Sequence, residues 1–272
     1  MRTRPSSRHF DFRRSTIDLV LNGRKVQVPV IVSHDPVVTD TSFLDFGPAY
    51  DCGPVVHRLE VFPDLDEGDD SQELRELLAS IESPRLGTWV RGPRAPTSVP
   101  LLATLEVMEH PDFIRRQVGR PWLLWMDAHE GSTGGGALLS VIEGLTKSND
   151  HLILKGSGSA YVYRELHVHP RAGGQGLGTR LLAHALASLP RSDMDASMLV
   201  AYPIHSIWAP EEESNDSFSA ATEEEVMRLV RTYKRVGFRV WPSRKRTSNE
   251  PRAMYLRHDR DLPFLEKAGG AE

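Results

Sequence analysis

The run His167-Val-His-Pro-Arg-Ala-Gly-Gly-Gln-Gly-Leu-Gly-Thr-Arg-Leu-Leu182 sets Gly173, Gly174, Gly176 and Gly178 between a strand-forming segment and an apolar-periodic helix. Glycine permits unusual backbone angles and close approach, while the free N–H groups and positive dipole end of a helix start attract anions. A phosphate or pyrophosphate is the natural guest. A dinucleotide fingerprint would need a third glycine where Thr179 stands, and the strand ahead of the turn is not the first of the chain. A Walker loop needs a Gly-Lys pair, which the sequence lacks. Histidines 110, 129, 151, 167 and 169 have no spacing of the His-Glu-x-x-His kind, and the single cysteine, Cys52, builds no thiolate zinc site. No metal is expected.

The elements that must position this turn follow from patterning. Thr16 to Val32 alternates around Asn22-Gly23, the signature of a β-hairpin. Val55 to Phe62 is a predicted strand, and Asp70 with Glu73 has capping-box spacing ahead of a helix from Gln72 to Ile81. A second helical region is predicted from Leu101 to Val118, with a break near Pro111. Trp122 to Met126, Gly136 to Ile142 and Ala160 to His169 are predicted strands. After the glycine turn come a helix from Thr179 to Leu189 and a strand from Ser197 to Ile204. An acidic insertion (209–222), a helix from Glu223 to Arg235, and short strands at Phe238 to Trp241 and Ala253 to Arg257 complete the chain. Strands interleaved with helices predict an α/β or α+β protein around one mixed sheet.

Composition sets outer bounds. The chain has 272 residues, 39% hydrophobic and 26% charged, with a formal net charge of -4, as expected of a soluble globular protein. One cysteine points to a reduced compartment, no stretch approaches the roughly 20 apolar residues of a membrane span, and the arginine-rich N-terminus is followed by no signal-peptide core. Cytoplasmic location is the expectation, with no membrane partner. Basic residues gather at the N-terminus and at Arg244-Lys-Arg246; acidic ones gather at Asp64 to Asp70 and Glu211 to Glu213.

Two blocks give the chain a resemblance to the GNAT superfamily of N-acetyltransferases. The first is Leu166-His-Val168-His-Pro170 followed by Gly176-x-Gly178 and Thr179-Arg-Leu-Leu182; the second is Tyr233-Lys-Arg-Val-Gly237-Phe238, with the strand from Met198 to Ile204 between them. The resemblance covers about Val55 to Arg257. It implies a mixed, mostly antiparallel central sheet flanked by helices, as a domain over 55–260, with an N-terminal hairpin extension over 1–54 and a tail over 261–272. It also implies acetyl-CoA (coenzyme A) as cofactor. Backbone N–H groups of Gly173, Gly174, Gln175, Gly176, Leu177 and Gly178 would take the pyrophosphate, with Arg171 and Thr179 beside them, and the pantetheine would lie along Leu166, His167 and Val168. Tyr233 falls on the family's general acid. Glu165 is the first candidate base, with His167 and His205 as rivals. Two positions depart from the pattern: Gly173 stands where the family has Arg or Gln, and Val226 where it often has asparagine.

The function these residues imply is transfer of an acetyl group from acetyl-CoA to a primary amine, on a small molecule or a peptide, by direct attack in a ternary complex. Orientation, a neutral amine, a polarised carbonyl and a proton for the thiolate are the main needs of that reaction. Acidic loops could draw a cationic acceptor. Two alternatives stay open: a catalytically silent acyl-CoA-binding or interaction module, and acetylation of RNA or charged tRNA using the basic clusters. The hairpin could complete the sheet, cover the acceptor or join two copies of the chain.

Overall fold

The computed structural model describes residues 15–21, 23–38, 55–64, 74–76, 78–79, 81, 99–110, 159–189, 195–203, 206–208, 222–242 and 252–258. Eight strands form one sheet: β1 (Ser15–Leu21), β2 (Arg24–Val38), β3 (Val55–Pro63), β4 (Ala103–His110), β5 (Ala160–Val168), β6 (Ala196–Ala201), β7 (Arg239–Val240) and β8 (Arg252–Arg257). Their order is β1-β2-β3-β4-β5-β6-β8-β7, and every neighbouring pair is antiparallel except β5 with β6. Two helices, α1 (Leu177–Ser188) and α2 (Glu223–Arg235), supply the crossovers on either side of β6. This is the mixed, mostly antiparallel sheet flanked by helices that the sequence predicts. No helix among the described residues is long and apolar enough to cross a membrane.

The hairpin forms where alternation and Asn22-Gly23 place it, with Gly23 at φ 77°. Its second strand is longer than predicted. Residues 24–30 of β2 pair with β1, and residues 30–38 pair with β3, so the hairpin is continuous with the sheet. The predicted helix over Leu101 to Val118 is overturned at its start, because Ala103–His110 is a central strand paired with both β3 and β5. Both faces of β4 are covered, from Leu105 and Val107 on one side to Thr104 and Met108 on the other. A strand buried on both faces loses the alternation that marks a half-buried one, and helix-forming Leu, Glu and Met then mislead. The predicted strands at Trp122 to Met126 and Gly136 to Ile142, and the capping box at Asp70 and Glu73, lie outside the described residues.

One face of the sheet carries the main core. Ile17, Leu19, Val28, Leu59, Val61, Leu105, Val107, Tyr161 and Tyr163 pack there with Leu181, Leu182 and Leu186 of α1 and Val226, Val230 and Tyr233 of α2. Helix α1 lies over β3, β4 and β5, whereas α2 lies over β6. The other face is banded. Val56, Met108, Val162 and Met198 form an apolar patch at one end, and Phe62, Leu101, Ile207 and Trp208 form another at the opposite end. Between them run the polar residues Arg58, Glu106 and Glu165, then Glu60, Thr104 and His167, each row aligned across β3, β4 and β5.

At the end of β5 remote from the glycine turn, a buried polar chain ties four strands together. His34 Nε2 lies 3.1 Å from His57 Nδ1, and His57 Nε2 lies 2.7 Å from Glu109 Oε2. The Tyr161 hydroxyl lies 3.2 Å from both Glu109 Oε1 and the Leu189 carbonyl just beyond α1. Buried polar atoms need such partners, and this chain supplies them where β2, β3, β4 and β5 meet the end of a helix.

Candidate active site

Strand β5 is the axis of the site. A β-bulge interrupts its ladder with β4: Glu106 pairs with Glu165, Val107 pairs with Tyr163, and Arg164 has no opposite number. Side chains alternate along a strand, so one extra residue reverses the parity beyond it. Tyr161 and Tyr163 therefore point into the helix-covered core, whereas Glu165 and His167 fall on the opposite face and Leu166 and Val168 take the core side.

The bulge coincides with a fork. The parallel ladder between β5 and β6 ends at Tyr163 with Leu199, yet β5 stays paired to β4 as far as Val168. From Val200 onward β6 is paired only with β8. Five residues of β5, 164–168, therefore present an edge that β6 does not cover, about 16 Å long at roughly 3.3 Å per residue. Helix α1 flanks the fork over β5 and α2 flanks it over β6. Tyr163, the last paired residue, meets Phe238 edge-on at 5.9 Å between ring centroids.

At the tip of the fork the chain enters the glycine turn. His169 closes it, its Nδ1 accepting a hydrogen bond from the Arg171 N–H at 3.1 Å, and its ring meets Trp208 at 5.1 Å. Pro170–Ala172 forms a single 3-10 turn, after which Gly174 and Gly176 adopt φ of 77° and 73°. These are left-handed conformations that a side chain would strain. Gly178 serves a different need: a Cβ there would lie 3.1 Å from Val168 Cγ2, so its absence lets α1 sit tightly on β5. Gly173 is the second close approach of the turn. A Cβ there would lie 3.0 Å from the Pro170 carbonyl oxygen, a contact tighter than most side chains make.

Helix α1 begins with nothing of its own to satisfy it. Its N-cap is Gly176, no side chain caps it, and no acidic residue lies in its first turn, so the N–H groups of Leu177, Gly178 and Thr179 face outward at the positive end of the dipole. Such an arrangement accepts an anion. Arg171 is exposed beside it. The Gln175 side chain is engaged elsewhere, with the backbone of Asp18 on β1, which leaves its main-chain N–H as its contribution to the turn.

Tyr233 lies in the last turn of α2 and is 9% exposed. Burial pushes its phenol up to about 12, so it remains a protonated O–H donor through the neutral range. Glu165, across the sheet, behaves oppositely. A hydrogen bond from His167, reinforced by the charges of His167, Arg164 and Arg58, outweighs burial and holds its carboxyl below the ordinary range. His167 Nε2 lies 3.6 Å from Glu165 Oε2, with His167 buried and Glu165 half-exposed. The structure therefore brings Glu165 and His167 together on the face away from the helices and sets Tyr233 on the face they cover. His205 lies outside the described residues. Val226 is fully buried in the core, so its side chain reaches no ligand.

No family model matches the chain, and no curated protein matches it. Among solved structures the chain is similar to Drosophila melanogaster polyamine N-acetyltransferase, an enzyme that catalyses the formation of N-acetylagmatine. The identity is 13% and the TM-score 0.30, over 75% of this chain and 100% of that one. It is also similar to the apo form of a serine-to-alanine mutant of agmatine N-acetyltransferase, at 13% identity and a TM-score of 0.30, over 72% of this chain and 98% of that one. A TM-score of 0.30 is too low to equate the folds, so the chemistry rests on the residues themselves.

Proposed function

We propose that the chain is an acetyl-CoA-dependent N-acetyltransferase of the GNAT type, which moves an acetyl group to a primary amine by direct attack within a ternary complex in the cytoplasm. One observation carries this reading: β5 parts from its parallel neighbour at the same end of the sheet where it feeds an uncapped, acid-free helix N-terminus. That pairing suits a ligand with a pyrophosphate at one end and a narrow amide-bearing arm at the other.

Acetyl-CoA would supply the activated acetyl thioester. The Gly173 N–H already donates to the Pro170 carbonyl, so the N–H groups of Gly174 to Gly178 would hold the pyrophosphate, and the free edge of Leu166, His167 and Val168 would bond the arm as an added strand does. A main-chain N–H near Val168 orients the thioester oxygen and stabilises the charge that develops on it. Glu165, kept ionised, and His167 beside it receive the amine on the face away from the helices and take its proton. The amine nitrogen bonds to the carbonyl carbon, the carbon–sulfur bond breaks, and the sulfur leaves toward Tyr233, whose phenol donates the proton. The acid and the base thus work from opposite sides of the sheet, which keeps one from quenching the other.

The test is calorimetric titration of the protein with coenzyme A, followed by thiol release from acetyl-CoA against a panel of primary amines. Binding together with amine-dependent thiol release supports the reading, and no binding overturns it. Binding without release on any amine would replace the transferase with a silent acyl-CoA-binding module.

A further inference from the structure

Strand β1 of the N-terminal hairpin stands four places from β5 in the sheet, yet it touches the glycine turn. The Asp18 N–H donates to Gln175 Oε1 at 2.7 Å, and Gln175 Nε2 donates back to the Asp18 carbonyl. Two residues earlier on the same edge, the Thr16 carbonyl accepts from Arg180 Nη1 at 3.4 Å. Strand β1 is the outer strand of the sheet, and Asp18 and Thr16 carry outward-facing main-chain groups with a period of two. Gln175 therefore engages Asp18 as a residue of a further strand would, bonding both its donor and its acceptor. Beneath the contact, Ala172 of the turn packs in the same core as Ile17 and Leu19.

The position of Gln175 gives the contact its consequence. It stands between Gly174 and Gly176, the two left-handed residues of the turn. Glycines that reach such angles freely also leave them freely, so a turn built on two of them presents its N–H groups to an anion only if something fixes it. We propose that the hairpin fixes it. Gln175 is a positioning residue, and β1 is the rail against which the anion-receiving conformation is set; the extension is thus part of the binding site without touching the ligand. The inference rests on the reading of the turn as a coenzyme A site.

The first variants work from the β1 side, where no residue of the turn is altered. Asp18→Pro removes the N–H that Gln175 accepts, at an edge position where proline is tolerated, whereas Asp18→Ala removes only the carboxylate and its ion pair with Lys25. In the full chain, Asp18→Pro is expected to weaken coenzyme A binding by about tenfold, the scale of releasing one ordered residue, with kcat at saturation nearly unchanged. Asp18→Ala is expected to bind as the parent does. Gln175→Met, similar in size but unable to bond the strand, should reproduce the Asp18→Pro effect. Equal affinity in all the variants overturns the proposal while leaving the transferase reading in place. A parent that binds no coenzyme A overturns the transferase reading instead. Amide hydrogen exchange across residues 173–179 then decides the coupling: faster exchange in Asp18→Pro but not in Asp18→Ala upholds it, and unchanged exchange refutes it.

Discussion

The two helices that flank the fork are nearly equal in length, 12 residues in α1 and 13 in α2, and begin in opposite ways. Helix α2 opens with a complete capping box: the Thr222 side chain accepts from the Glu225 N–H, the Glu225 carboxylate accepts from the Thr222 N–H, and Glu223, Glu224 and Glu225 line the first turn. Its start is self-sufficient and repels anions. Helix α1 opens on a glycine, with no cap and no acid. A helix start that satisfies itself contributes to folding, whereas one left open is stabilised only when something else binds there. In the proposed reaction the helices also use opposite ends: α1 offers the backbone of its first turn, and α2 offers a side chain, Tyr233, from its last.

The largest expected effect comes from making α1 resemble α2. Gly176→Asp would set a carboxylate against a phosphate at the start of α1 and strain the left-handed backbone there, so coenzyme A affinity measured by calorimetry should fall by about a thousandfold, the sum of several lost charge-assisted hydrogen bonds. Next is the far end of α2. Tyr233→Phe keeps the buried ring and removes the donor, so kcat should fall by about 100-fold while coenzyme A affinity holds. An equal loss in both would make Tyr233 a structural residue.

The face that neither helix covers provides the third test. Glu165→Gln should reduce kcat by about tenfold, with coenzyme A affinity unaffected. Because the Glu165 carboxyl is held below its ordinary range, the stability it lends is present above about pH 4.5 and is lost as the pH falls through its folded value. The difference in Tm between parent and Glu165→Gln should therefore close as the pH falls into the acid range. The smallest effect belongs to the self-sufficient helix: Thr222→Ala should lower Tm by about 2 °C and leave coenzyme A binding alone. A large loss of binding in Thr222→Ala would erase the contrast between the two helices.

Local signals were legible. The glycine turn, the extent of α2 and the hairpin around Asn22-Gly23 all follow from short-range rules of capping, periodicity and turn chemistry. The Thr222-x-x-Glu225 box could also have been read, since its spacing is the same as that noted at Asp70 and Glu73. What escaped was set by distant neighbours. Ala103–His110 is a strand because β3 and β5 hold it from both sides, and nothing within that stretch announces them. Glu165 and His167 could be seen to share a face, but the bulge at Arg164 decides which face, and it is fixed by pairing with β4. Gln175 reads as one more residue of a phosphate turn, while its partner Asp18 lies 157 positions earlier. The chain from His34 to Tyr161 is invisible for the same reason: its members are scattered over four strands and meet only after the sheet has formed.

The bulge also makes the site depend on a parity. Deleting Arg164 would restore an unbroken ladder between β4 and β5 without costing a paired backbone group, and the strand would remain a strand. Glu165 would still oppose Glu106, so Glu165 and His167 would keep the face away from the helices, with Leu166 and Val168 on the core side. A register slip that seated Arg164 opposite Glu106 would instead place Glu165 opposite Leu105 and bury its carboxylate among the leucines of the core.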